Sequence, residues 1–191
     1  MFYTMGLFSS IKAILQFKKE LKRSIKETQE NEKRYLTMTT GELSALSDDE
    51  LFAAIVARTE SKVDSFDEWE DGVNSLNSSQ KIFYSVNWLE IEVNNGGLCQ
   101  FFVNSSRMVA PFVSKYMAII GAEEHQNLYD NFVKKNAIDL TELSFFDVNE
   151  AEEFEEKVER YPFDEYDDAF YDMEPLETYL KKFGRAHLAD F

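Results

Sequence analysis

The sequence predicts an all-α protein, a compact multi-helix single domain with an amphipathic N-terminal helix. Three observations predict it. Apolar residues recur at three- and four-residue spacing along most of the chain, capping residues stand ahead of several of those runs, and the period-two alternation of a half-buried strand is scarce. No internal repeat of solenoid length is present.

Composition sets the outer limits. The 191 residues are 44% hydrophobic and include 17 Phe and 9 Tyr, enough to bury a sizeable core. A formal charge of −16 and a pI near 4.5 argue against a direct grip on nucleic-acid phosphates, which takes clustered Lys and Arg. Partners are expected to be basic, neutral or metallic. One cysteine, Cys99, excludes an intramolecular disulfide and fits a reducing compartment, so a cytoplasmic location is expected.

Residues 1–40 read as an arm and 41–191 as the domain. In MFYTMGLFSSIKAILQFKKELKR the charges follow the apolar stretch and no uncharged run is long enough to span a bilayer, so neither a signal peptide nor a membrane span fits. Leu7, Ile11, Ile14, Leu15, Leu21 and Ile25 fall near the helical period, with Lys12, Lys18, Lys19, Lys22, Arg23 and Lys26 as a basic face. Such a helix docks on the acidic remainder or a second copy, or else lies on a membrane surface.

The domain begins with a capping box. Ser47-Asp48-Asp49-Glu50 precedes Leu51, Phe52, Ile55 and Val56 and predicts a helix through the early sixties. Asp67 to Asn77 reads as a loop or short turn. Ser78 or Ser79 is expected to cap a helix carrying Ile82, Phe83, Val86, Leu89 and Val93, closed by Asn95-Gly96-Gly97. A short helix through Gln100 and Phe101 follows, then helices over about Val109–Ile120 and Glu123–Lys135, with Pro111 near one start and Gly121 after one end.

From Ala137 to Glu177 the balance changes: sixteen acids face only Lys157 and Arg160. Phe145, Phe146, Phe154, Val158, Tyr161, Phe163, Tyr166, Phe170 and Tyr171 are interleaved with them, which separates this stretch from a disordered acidic tail. It is expected to fold with carboxylates outward and to meet a partner through Glu150, Glu152, Glu153, Glu155, Glu156, Glu159, Asp164, Glu165, Asp167, Asp168 and Asp172.

VNWLEIEVNNGGLCQFFVNSS, followed by Ile120-Gly121-Ala122 and YPFDEYDDAFYDMEPLETYLKKF, resembles the small bacterial family typified by a DNA-mimic protein of about nineteen kilodaltons, otherwise a domain of unknown function. The resemblance covers roughly Ser47 to Phe183 and rests on the core E-x-x-N-G-G-x-x-Q-F-F-x-N-S. It implies an all-helical fold, a homodimer, and an acidic surface that imitates DNA and occupies the DNA-binding face of a basic protein such as a transcription factor. The basic N-terminal helix lies outside it.

Two readings stay open for the motif. Glu90 and Asn94, and Gln100 and Asn104, are four residues apart and share helix faces, while Gly96 and Gly97 permit a left-handed turn. With Asn95 they form either a structural corner between helices or a polar pocket for a ligand. A phosphate loop does not fit, because no strand precedes the glycines and no Gly-Lys-Ser/Thr follows. Cys99 reads as a buried small hydrophobe, and His125 and His187 as surface or helix-end residues outside any ligand spacing. The Glu152-Glu153 and Glu155-Glu156 pairs lack the glycine-containing calcium loop. No catalytic residue, metal or cofactor is therefore expected. The favoured function is an acidic protein-binding regulator; the alternatives are a peripheral membrane protein held by the N-terminal helix and an enzyme with a polar pocket at the corner.

Overall fold

The computed structural model describes residues 3–148 and 151–191, with side chains from residue 18 onward except those of residues 25, 151 and 152. Ten α-helices and no strand occur among them: α1 (Tyr3–Thr37), α2 (Thr40–Ser44), α3 (Asp48–Val63), α4 (Trp69–Ser75), α5 (Ser78–Val103), α6 (Ala110–Ile120), α7 (Glu123–Lys135), α8 (Ala151–Arg160), α9 (Phe163–Tyr171) and α10 (Leu176–Ala186). The all-α expectation holds. Helix α5 packs against α3, α6, α8, α9 and α10. Its Phe83, Leu89, Phe101 and Phe102 are fully buried, and Phe146, Phe163, Tyr166 and Tyr129 join them in one aromatic-rich core.

Local chemistry fixes the helix starts. The Ser47 hydroxyl accepts from the Glu50 N–H and the Glu50 carboxylate accepts from the Ser47 N–H, both at 3.3 Å, as expected for a capping box. The start of α5 differs from expectation. Asn77, with extended backbone, caps it: its side chain accepts from the Gln80 N–H at 2.9 Å, and Gln80 reaches back to the Asn77 N–H. The Ser79 hydroxyl instead donates to Asp190 at 2.6 Å. The stretch expected as a loop before it contains α4. Trp69 and Val73 lie one turn apart there; Val73 is buried and the Trp69 indole N–H donates to the Tyr84 hydroxyl at 3.0 Å. This apolar contact outweighs the polar, glycine-containing composition that suggested a loop.

Two arginines tie distant segments together. The Arg58 guanidinium donates to the carbonyls of Tyr35, Met38 and Phe191, joining the end of α1, the chain before α2 and the end of the described chain. Arg185 of α10 clasps Asp48 at 2.6 and 3.0 Å and the carbonyls of Ser44 and Leu46. Each brings charged donors to carbonyls at or beyond a helix end.

Candidate functional site

The motif sits on a kink inside α5. Gly96 (φ −163°, ψ 25°) and Gly97 (φ 78°, ψ 176°) leave helical geometry, and the helix resumes in a new direction to Val103. Two side chains bond backbone groups on either side of the kink. The Tyr171 hydroxyl donates to the Val93 carbonyl at 2.7 Å, and the Asp167 carboxylate accepts from the Leu98 N–H at 2.8 Å. A Cβ on Gly97 would collide with the Asp167 carboxylate, so glycine serves both the positive φ and the approach of that carboxylate.

Glu92 braces the kink from its first half. One carboxylate oxygen accepts from the Gln100 and Asn104 side-chain amides at 2.7 and 2.8 Å, and the other from the Ser106 hydroxyl at 2.9 Å. Glu92 was not among the residues expected at this site, although it stands at the first position of the E-x-x-N-G-G motif. The i,i+4 pairing of Glu90 with Asn94 drew attention from it. Asn94 and Asn95 are exposed, whereas Gln100 is half-buried and turned inward. Glu90 is buried on a different face, where its carboxylate accepts the N–H groups of Leu176 and Glu177 and so caps α10, whose preceding Pro175 offers no side-chain cap. Burial pushes the Glu90 carboxyl up to about 7, against the lowering pull of those N–H groups. The corner is therefore a hydrogen-bonded joint in which the motif's own amides meet its own carboxylate.

Outside the joint, the acidic residues turn to solvent. Along α9, Phe163, Tyr166 and Phe170 are buried while Asp164, Glu165 and Asp168 are exposed, as is Asp172 at the helix end. On α8, Glu155, Glu156 and Glu159 are exposed and Glu153 is half-buried. Glu165 pairs with Lys135 at 3.4 Å and Glu156 with Lys157 at 3.9 Å. Asp167 differs from its neighbours, being half-buried at the kink with its carboxyl raised by burial. Glu150 and the side chain of Glu152 lie outside the described residues.

The remaining candidates have other roles. Cys99 is buried and its thiol is pushed up to about 12 by burial, as a small hydrophobe should be. His187 stands at the end of α10, but His125 corrects the surface expectation. It is buried in the first turn of α7, edge-on to Phe170 and Tyr179 at 5.2 and 6.0 Å, and burial lowers its pKa. The spacing of His125, Tyr129 and Phe132 places it on the inward face of α7. Among the described residues no group of three or more His, Cys, Asp or Glu side chains is arranged to hold a metal ion.

A family model described as DMP19-like protein matches residues 74–187, well over half of the chain. The chain belongs to the DMP19-like protein family. The matched segment holds the whole kinked α5, its partners Asp167 and Tyr171, and the acidic helices α8 and α9; α1, α2 and α3 lie outside it. Membership places the chain in a DNA-mimic family. No curated protein and no solved structure matches the chain.

Proposed function

We propose that the protein is a non-enzymatic regulator whose acidic helices imitate DNA and occupy the DNA-binding surface of a basic protein such as a transcription factor, acting as a cytoplasmic homodimer. The observation that carries this reading is the division of α9, with aromatic side chains in the core and carboxylates outside, within a family of DNA mimics. Carboxylates on a packed helix are ordered before binding, which lowers the entropic cost of meeting a basic cleft.

Charge spacing makes the reading demanding. Asp164, Asp168 and Asp172 recur at about 6 Å along the axis, whereas one DNA strand carries a phosphate every ~3.4 Å. One row on α9 therefore supplies about half the linear charge of a strand, and the row of Glu155, Glu156 and Glu159 on α8 must contribute.

The test is competition with duplex DNA for a DNA-binding protein recovered from lysate at low salt. Joint reversal of Glu155, Glu159, Asp164 and Asp168 to Lys should abolish competition. The same number of reversals at Asp67, Glu68, Glu70 and Asp71, exposed acids outside the matched segment, should leave most of it. Equal competition by both variants, or recovery of no DNA-binding protein, overturns the proposal.

A further inference from the structure

We infer that α1 is a membrane-surface element that lies along anionic lipid and carries the acidic body beneath it. The family match does not reach this helix. Its 35 residues extend about 52 Å, and its packing against the body is on α3, in a groove that begins at Thr28 and continues through Asn31, Glu32 and Tyr35. Every described side chain from Lys18 to Arg34 is exposed, and Leu21 is 49% exposed within an otherwise charged stretch.

Charge is sorted along the chain. Residues 1–36 hold eight bases and four acids, and the remainder twelve bases and thirty-two acids, so the net −16 divides into +4 and −20. Lys18, Lys19, Lys22, Arg23 and Lys26 face one acid, Glu20, within nine residues; residues 3–17 before them carry one charged side chain, Lys12, among Leu7, Phe8, Ile11, Ile14 and Leu15. An apolar helical stretch next to a basic cluster supplies the two signals that stable attachment to a lipid surface needs.

The pairs that the basic cluster makes lie along the helix itself. Arg23 and Lys26 pair within the helix, with Glu27 and Glu30, and Arg34 alone among the described residues of α1 forms an ion pair with the body, at Glu50. A second copy would offer the same acidic faces, whereas an anionic bilayer offers a charge plane and an apolar layer together. No helix among the described residues is long and apolar enough to cross a membrane, so α1 would lie on the surface. Lys18 stands about 15 Å along the axis from Thr28, nearly two Debye lengths of ~8 Å, which screens the repulsion between the body and the lipid.

Flotation of the full chain with vesicles tests this. Binding should be strong to phosphatidylcholine containing phosphatidylserine, weak to phosphatidylcholine alone, and reduced by salt. Each base near such a surface strengthens binding roughly fivefold, so joint reversal of Lys18, Lys19, Lys22, Arg23 and Lys26 to Glu should cost well over a hundredfold. Those side chains are exposed and the pairs of Arg23 and Lys26 lie within the helix, so the melting temperature of the body should fall only slightly. Leu7→Asp with Ile11→Asp should also weaken binding while leaving its salt dependence. No binding, equal binding to both vesicle types, or full binding by the charge-reversed variant overturns the proposal. So does a self-associated mass in light scattering that collapses on the same reversals without vesicle binding, which would make α1 a contact between copies. None of these outcomes bears on competition with DNA, which involves other helices.

Discussion

Around the kink of α5 and along the outer faces of α8 and α9, the chain puts one side-chain chemistry to opposite uses. At the kink, Asp167 accepts from the Leu98 N–H and Glu92 from the Gln100 and Asn104 amides and the Ser106 hydroxyl, and nearby Glu90 accepts from two N–H groups at the start of α10. On α8 and α9, Glu155, Glu159, Asp164 and Asp168 face water over an aromatic floor. The difference teaches that acid count alone says little about function in this molecule. Which carboxylates are available depends on which backbone and side-chain donors the fold brings to them.

The hardest break should come at Gly97. A valine there meets both the left-handed backbone and the Asp167 carboxylate, and displacing that carboxylate leaves the Leu98 N–H without its acceptor. Gly97→Val should cost about 4 kcal/mol in urea unfolding. Gly96 is the contrast: its φ is extended, so an added Cβ meets the Gln100 side chain without the further cost of a left-handed backbone. Gly96→Ala should cost less than half as much, and equal costs would place the joint's strain elsewhere.

Glu90 should reveal itself through pH. Its folded pKa of about 7 lies above the ordinary 4.5, so its contribution to stability is fully present below about 4.5 and is lost as pH rises through 7. The whole swing is about 3 kcal/mol at most. Glu90→Gln cannot titrate and keeps an acceptor for the Leu176 and Glu177 N–H groups. Between pH 5 and pH 8 the native chain should therefore lose stability relative to this variant; parallel curves would show that Glu90 is not held near neutrality.

Glu92 comes next. Truncation to Ala strands the buried Ser106 hydroxyl and half-buried Gln100, and charged hydrogen bonds of this kind contribute ~1.5–3 kcal/mol. Glu92→Ala should cost about 2–3 kcal/mol and Glu92→Gln less, with Cys99 becoming more reactive toward a thiol reagent as the joint loosens. An unchanged melting temperature in both would return the corner to the ligand-pocket reading.

Much of the fold was legible because it is written in local terms: the capping box at Ser47, the 3.6-residue rows of α5 and α9, the proline and glycine that bracket α6. Asn77 was missed although its capping box with Gln80 is local, because the adjacent Ser78 and Ser79 are equally good capping residues by type. The site was half legible. That Gly96 and Gly97 break a helix follows from chain chemistry, but that Asp167, seventy residues on, caps the second half does not, since its place in the row of Phe163 and Phe170 marks it as turned toward the core without saying which donor it meets. Glu92 carried a signal in its motif position. His125 carried one in the row it shares with Tyr129 and Phe132, and its polarity obscured that row.

The smallest expected effect is on stability at the outer face, and its sign sharpens the comparison. Surface changes away from caps and buried contacts usually stay within about 0.5 kcal/mol. Reversal of Glu155, Glu159, Asp164 and Asp168 to Lys removes none of the hydrogen bonds at the kink, and it takes the net charge from −16 to −8. A folded chain at −16 repels itself, and salt screens that repulsion. The native protein should therefore gain stability with added sodium chloride, while the reversed variant starts equal or slightly more stable and gains less. Urea melts at low and high salt measure both slopes. If the variant instead melts well below the native chain at every salt concentration, those carboxylates belong with Glu92 and Asp167 as parts of the framework, and the division between inner and outer acids fails.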